Sequence, residues 1–382
     1  VSLAEHEAGG ATLPLLFTPM RLKGLTVKNR IVVAPMCQYS AVEGRVTEWH
    51  HAHHGRFALG GAGMAIVEAT GITREGRITH GCTGIYDDSQ IPGYKAIVDL
   101  YHAHGTLAGI QLNHAGRKAS TKRPWDGAGS IAPGEAEGPW DTVAPSAIAA
   151  IDGWHTPRAL TIAEIDAIVD AFAAAAQRAD QAGFDTVQIH GAHGYLLHTF
   201  MSPLANRRED EYGGSLENRM RLPLRVAEAI AAVWPADKPI LYRASVTDDL
   251  EGGLTVEDTV ALARELKARG VDAIDCSSGG IVGPVALKKM QPGPGFQVPL
   301  SAAIREGAGI PTMAVGMITD PLQAEAILAE EKADFIAIAR EFLSDSAWPY
   351  RAALALGLDD PFAVLPEQYA FHLRRRARGL KS

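Results

Sequence analysis

ILYRASVTDDLEGGLTVEDTVALARELKARGVDAIDC, residues 240–276, carries one complete strand–helix–strand unit. A mostly apolar run at 240–244 leads into helical periodicity at 256–268, and a second short run closes the stretch at 273–276. Runs without in–out alternation are expected of parallel strands covered on both faces; strands with one wet face alternate. Thr255 with Asp258 three places on gives a capping-box start to the helix, and Gly270 stands where it would stop.

Working outward, the same unit recurs. Apolar runs at 31–36, 64–69, 107–112, 186–190, 311–315 and 335–339 complete a set of eight, with further helical stretches at 162–181, 216–233 and 322–329. Thr161 with Glu164 repeats the capping pattern, and Gly183 repeats the stop. Eight such units predict an α/β fold, a closed (β/α)8 TIM barrel. A doubly wound open sheet competes, but no GxGxxG follows the first run. The barrel is expected over residues 13–357, after a flexible arm at 1–12 and before a C-terminal extension at 358–382. Residues 120–153, rich in Gly, Pro and Ala with Trp125 and Trp140 along them and Trp154 directly after, form an excursion after the third strand. Loops of that length are usually functional.

The formal net charge of −8, with its bases dispersed, argues against a nucleic-acid or membrane-surface partner. Three distant cysteines, Cys37, Cys82 and Cys276, draw neither a disulfide framework nor a CxxC pair, and suit a reducing cytoplasm. There is no apolar run of the roughly 18 residues a membrane span needs, and residues 1–12 lack the basic and apolar regions of a signal peptide.

Barrel chemistry collects at the carboxyl ends of the strands. Gly316 ends the seventh strand and Arg340 the eighth. Those positions commonly hold a phosphate, glycine letting backbone N–H groups approach and arginine offering a planar fork; a helix-capping glycine and a surface ion pair are the plain alternative. His190, His193 and Tyr195 follow the fourth strand. Two imidazoles so spaced can donate to one carbonyl oxygen, and a nearby phenol can donate a proton. A metal pair serving a barrel hydrolase, or two histidines satisfying local hydrogen bonds, remain open on spacing alone. His50, His51, His53 and His54 cannot all face one point on a helix, which favours a structural or surface role.

Several longer strings resemble the Old Yellow Enzyme family, from about Phe17 to about Tyr369. The most specific is Asn206-Arg207-Arg208-Glu209-Asp210-Glu211-Tyr212-Gly213-Gly214-Ser215-Leu216-Glu217-Asn218-Arg219, after His193-Gly194-Tyr195-Leu196. Leu25-Thr26-Val27-Lys28-Asn29-Arg30-Ile31, Pro35-Met36-Cys37, His114-Ala115-Gly116-Arg117-Lys118 and Val315-Gly316-Met317-Ile318-Thr319-Asp320 add to it. The cysteine after Pro35-Met36, the paired histidines and the tryptophan-bearing excursion are similar to the thermophilic-like branch with its bacterial xenobiotic reductases. The resemblance implies bound FMN, reduced by NADPH or NADH in a ping-pong cycle, with enones, enals, maleimides or nitro compounds as acceptors. Pro35, Met36, Cys37 and Ala69 match positions beside the flavin ring, Cys37 as a tuner of its potential. Gln111 and Arg243 match contacts to its pyrimidine side, and Ser278, Gly316 and Arg340 match ribityl or phosphate contacts. His190 and His193 match the carbonyl-binding pair, Tyr195 the proton donor and Tyr39 a tyrosine over the pocket. A homodimer or higher homo-oligomer is implied. The phosphate site reads Ala339-Arg340 rather than Gly-Arg, and Phe371 stands where several relatives carry an arginine, which is therefore not carried over. The iron–sulfur reductases of similar barrel type hold their cluster with closely spaced cysteines, absent here. A non-catalytic flavin protein and a metal-dependent barrel hydrolase are the other readings.

Overall fold

The structure is a computed structural model and describes residues 13–282 and 292–380. The arm expected at 1–12 lies outside them. Eight parallel strands close into a barrel: β1 Ile31–Val33, β2 Met64–Gly71, β3 Leu107–Asn113, β4 Thr186–Gly191, β5 Ile240–Ser245, β6 Ala273–Ser277, β7 Thr312–Ala314 and β8 Phe335–Ile338. Closure is made by β8 on β1, with Ile336 opposite Ile31. Every strand residue except Leu107 is buried. That burial on both faces is why the runs lack alternation.

Helices α1 Glu48–Ala58, α2 Ile91–Ala103, α3 Ile162–Gln181, α4 Leu216–Ala231, α5 Val256–Ala268, α6 Val298–Ala308, α7 Pro321–Ala329 and α8 Trp348–Ala355 follow the strands in turn. The capping boxes at Thr161/Glu164 and Thr255/Asp258 are formed, each threonine hydroxyl accepting from the backbone N–H three residues on. Gly183 and Gly270 take φ of 92° and 90°, the left-handed turn that ends a helix without a Cβ clash. One core lies between strands and helices, with Phe172, Phe184, Tyr101 and Trp348 fully buried. A second fills the barrel itself with Val32, Met64, Ile66, Leu241, Met313 and Phe335. Leu22 and Val27 join that inner core from a short hairpin, Met20–Leu22 with Leu25–Val27, that plugs the end opposite the catalytic rim.

Three features depart from the sequence expectation. The first strand stops at Val33, short of residue 36: Pro35 has no N–H to give a ladder, and residues 35–40 ride half-buried over the rim. The plugging hairpin is too short to show a period of its own. The C-terminal extension forms a helix, α9 Glu367–Gly379, with Ala370 its buried residue. The excursion at 120–153 carries a 3-10 turn at Pro124–Asp126, and Val143–Ala144 pairs with Arg158–Ala159 in a two-stranded parallel ladder. Arg117 ties it down by donating to Ile148 O and Ala149 O at 3.2 Å each.

Candidate active site

A cavity of about 740 Å³ opens at the carboxyl ends of the strands. Arg243, Ser277, Gln297, Val315, Gly316 and Arg340 are among the residues lining it. Gly316 has φ of 121°, and a Cβ there would stand 3.0 Å from Gln297 Oε1, so glycine is needed at this wall. The Arg243 guanidinium is buried, and its Nε has no hydrogen-bond partner among the described residues. A roomy cavity with a glycine floor and a buried cation still owed an acceptor suits a flavin with a phosphate tail. Ser278 follows directly after the end of β6. It is fully buried, with its Oγ 2.7 Å from Gln297 Nε2, and its neighbour Ser277 is the serine on the cavity wall. The same Gln297 Nε2 reaches Ser277 Oγ at 3.4 Å, so both serine hydroxyls meet one amide at the end of β6.

The turn after β4 gathers the polar rings. His190 and His193 have centroids 5.2 Å apart, and His190 and Tyr195 are 4.9 Å apart, both pairs edge to face. His190 Nδ1 lies 3.3 Å from the Ala192 amide and accepts from it, which places the proton of the neutral ring on Nε2. His193 takes φ of 61° and is held on three sides. Its amide donates to Ser245 Oγ at 3.0 Å, its Nε2 meets Ser277 Oγ at 2.8 Å, and its carbonyl accepts from Lys118 Nζ at 2.9 Å. Gly280 passes so close that a Cβ would meet His193 Cα at 2.7 Å. Burial, reinforced by the Arg243 charge, holds both imidazoles well below their ordinary pKa. Burial likewise pushes the Tyr195 phenol well above its usual range, so it keeps its proton at neutral pH.

The facing wall comes from the rim after β1. Cys37, Tyr39 and Tyr195 pack with Ala69, Ile78, Cys82, Ala115 and Ala119 in one apolar cluster. Met36 packs against the outer core, and Pro35 is half-buried. Burial raises the Cys37 thiol well above its usual pKa, and Cys82 and Glu68 push the same way. A thiol so placed stays protonated and is a poor nucleophile. Tyr39 adopts φ of 50°, its carbonyl accepts from Arg123 Nε at 3.0 Å, and its ring meets exposed Trp125 of the excursion edge to face at 5.6 Å.

Gln111 ends a buried polar chain through the barrel. Its Nε2 donates to Gln188 Oε1 at 2.7 Å, Gln188 Nε2 donates to Asp275 Oδ2 at 3.0 Å, and Arg243 Nε lies 3.4 Å from that same oxygen. Gln188, Asp275 and Ser277 were not singled out from the sequence. The available signal was a polar residue inside an apolar run, as at Asp275 between Ile274 and Cys276. The α1 histidines take structural places. His50 lies 3.3 Å from the buried carboxylate of Glu68, and His54 Nδ1 is 2.7 Å from the Tyr101 hydroxyl. Among the described residues no three His, Cys, Asp or Glu side chains are grouped to hold a metal ion.

The family model of the NADH:flavin oxidoreductase / NADH oxidase family matches residues 15–359. An NADPH dehydrogenase of Geobacillus thermodenitrificans is 45% identical over 346 residues, 90% of this chain and 95% of the relative. Morphinone reductase in complex with tetrahydroNAD superposes with a TM-score of 0.73 at 30% identity, covering 91% of this chain and 92% of that one. The old yellow enzyme homologue from Zymomonas mobilis gives 0.74 at 30% identity, covering 90% and 93%.

Proposed function

Because the chain belongs to the NADH:flavin oxidoreductase / NADH oxidase family, with FMN as cofactor and NAD(P)H as reductant, we propose that it reduces activated carbon–carbon double bonds. The acceptors are enones, enals and maleimides, with nitro compounds as a further class. The observation that carries this reading is the trio of His190, His193 and Tyr195 at one strand end, both imidazoles neutral and the phenol protonated.

Bound FMN supplies the hydride that NAD(P)H delivers to it. Gly316 and Arg340 would take its phosphate, Ser277 or Ser278 its ribityl chain, and Gln111 and Arg243 its pyrimidine edge. Pro35, Met36, Cys37 and Ala69 would flank its ring. His190 and His193 donate N–H bonds to the substrate carbonyl oxygen, drawing electron density from the conjugated double bond and stabilising negative charge there as hydride arrives. Neutral rings suit that task, since each keeps a donor without the cost of burying a second cation beside Arg243. Tyr195 gives its proton to the carbon left electron-rich and regains one from solvent, so hydride and proton together saturate the bond. Cys37 stays a thiol and tunes the flavin, and Tyr39 with Trp125 walls the pocket mouth. The branch is the thermophilic-like one, supported by Cys37 after Pro35-Met36. A homo-oligomer is supported by Tyr369 and Phe371, about half exposed on α9. A reducing compartment is supported by three free cysteines.

Substituting Tyr195→Phe tests the assignment. In anaerobic stopped flow, reoxidation of the reduced enzyme by 2-cyclohexenone should slow by about 10² or more, the usual worth of a positioned acid. Flavin reduction by NADPH should hold its rate. Unchanged reoxidation would remove Tyr195 from the role.

A further inference from the structure

We propose that Asp275 is a positioning residue for the flavin: its buried carboxylate orients Arg243 and, through Gln188, Gln111, and its charge lowers the flavin's reduction potential. The inference rests on the placement of Gln111 and Arg243 at the pyrimidine edge given above.

Two acidic residues lie within the eight barrel strands, Glu68 and Asp275. Glu68 accepts from the Gln38 amide at 2.8 Å and lies 3.3 Å from His50 Nε2, away from the glutamine chain. Asp275 faces into the chain of glutamines and the cavity's cation. Strand register sets this up, placing Gln111 beside Gln188, and Arg243 between His190 and Asp275. The side chains of Gln111, Gln188 and Asp275 are essentially inaccessible, and Arg243 is 7% exposed.

A carboxylate can only accept, so Gln188 must turn its amide nitrogen to Asp275. Its oxygen then faces Gln111 and draws the Gln111 amide nitrogen, leaving Gln111 Oε1 as a free acceptor. The flavin pyrimidine ring presents one N–H between two carbonyl oxygens. An acceptor at Gln111 and a donor at Arg243 match that edge, and the polarity of both follows from one charge. The ion pair itself is poorly made for stability alone. Asp275 Oδ1 has no hydrogen-bond partner among the described residues, and Arg243 Nε stands 3.4 Å from Oδ2 without bonding. Buried charges left this unsatisfied are costly to the fold, so the pair is better placed to orient a group bound in the adjoining cavity than to stabilise the barrel. Burial raises the Asp275 carboxyl pKa, against which Arg243 and then Gln188 work.

The experiment is spectroelectrochemistry on the purified holoenzyme, with Asp275→Asn and Arg243→Met alongside the parent. Removing the Asp275 charge leaves Arg243 uncompensated, so reduced FMN should gain at least tenfold in affinity relative to oxidised FMN. For a two-electron couple that is a positive shift of about 30 mV. Arg243→Met should move the potential in the opposite direction. A shift in Arg243→Met with none, or a negative one, in Asp275→Asn overturns the role of Asp275 while leaving the flavin site standing. No shift in either variant overturns the placement of Arg243 at the flavin, and the proposal with it. Should Asp275→Asn fail to fold, Gln188→Leu decides: it keeps the carboxylate and cuts its link to Gln111. A displaced absorption spectrum of bound FMN with at least a tenfold loss of affinity supports the proposal; an unchanged spectrum and affinity refute it.

Discussion

His193 shows how much of this site is set by side chains beyond the reacting ones. Its left-handed backbone is held by Ser245, Lys118 and the close passage of Gly280, and its ring by Ser277. A loop residue in that conformation persists only when its surroundings over-determine it. Ser277→Ala should therefore loosen the ring without touching the flavin's oxidation state. The affinity for a phenol such as 4-hydroxybenzaldehyde, read from its charge-transfer band, should fall by about tenfold, or about 1.4 kcal/mol. An unchanged titration would mean that packing alone orients His193. At this scale the sequence was partly legible. His190, His193 and Tyr195 stand out because three ring residues follow one buried run, whereas Ser277, Gln188 and Asp275 act through contacts between distant strands that spacing cannot express.

Helices and strands were the most legible scale, for a local reason. Thr161, Glu164, Thr255 and Asp258 write their helix starts in four-residue patterns, and α3 and α5 begin and end where periodicity placed them. Strand ends were less legible because a proline and an outward turn, not hydropathy, terminate β1. The hairpin at 20–27 and the helical state of α9 escaped for a different reason. A three-residue strand has no measurable period, and an arginine-rich helix with one buried residue resembles a solvated tail. The excursion was visible as composition, yet its grip on the rim, through Arg117 and through Trp125 on Tyr39, depends on tertiary contacts.

Over the whole molecule, burial of ring nitrogens couples stability to pH. His53 and His114 are held to pKa values of about 4, in both cases chiefly by burial, and burial also holds His54, His190 and His193 well below the ordinary imidazole value. Unfolded, each would titrate near its ordinary value of about 6.5. Their folded values lie below the unfolded one, so the stabilisation is complete above pH 6.5 and declines as pH falls, when the unfolded chain takes up protons first. At pH 5 His53 and His114 should each cost about 2 kcal/mol relative to pH 7.5. Urea unfolding of the holoenzyme at the two pH values checks this; equal midpoints would show that these rings protonate in place. Among the described residues no helix is long and apolar enough to cross a membrane.

Passage of hydride from NADPH through a flavin in this barrel to an activated alkene is read out by an anaerobic visible spectrum of the purified protein. Flavin bands should bleach on adding NADPH and return in full on adding 2-cyclohexenone. A protein reconstituted with FMN that bleaches with NADPH but stays bleached with cyclohexenone, maleimide and nitroalkene alike would contradict it.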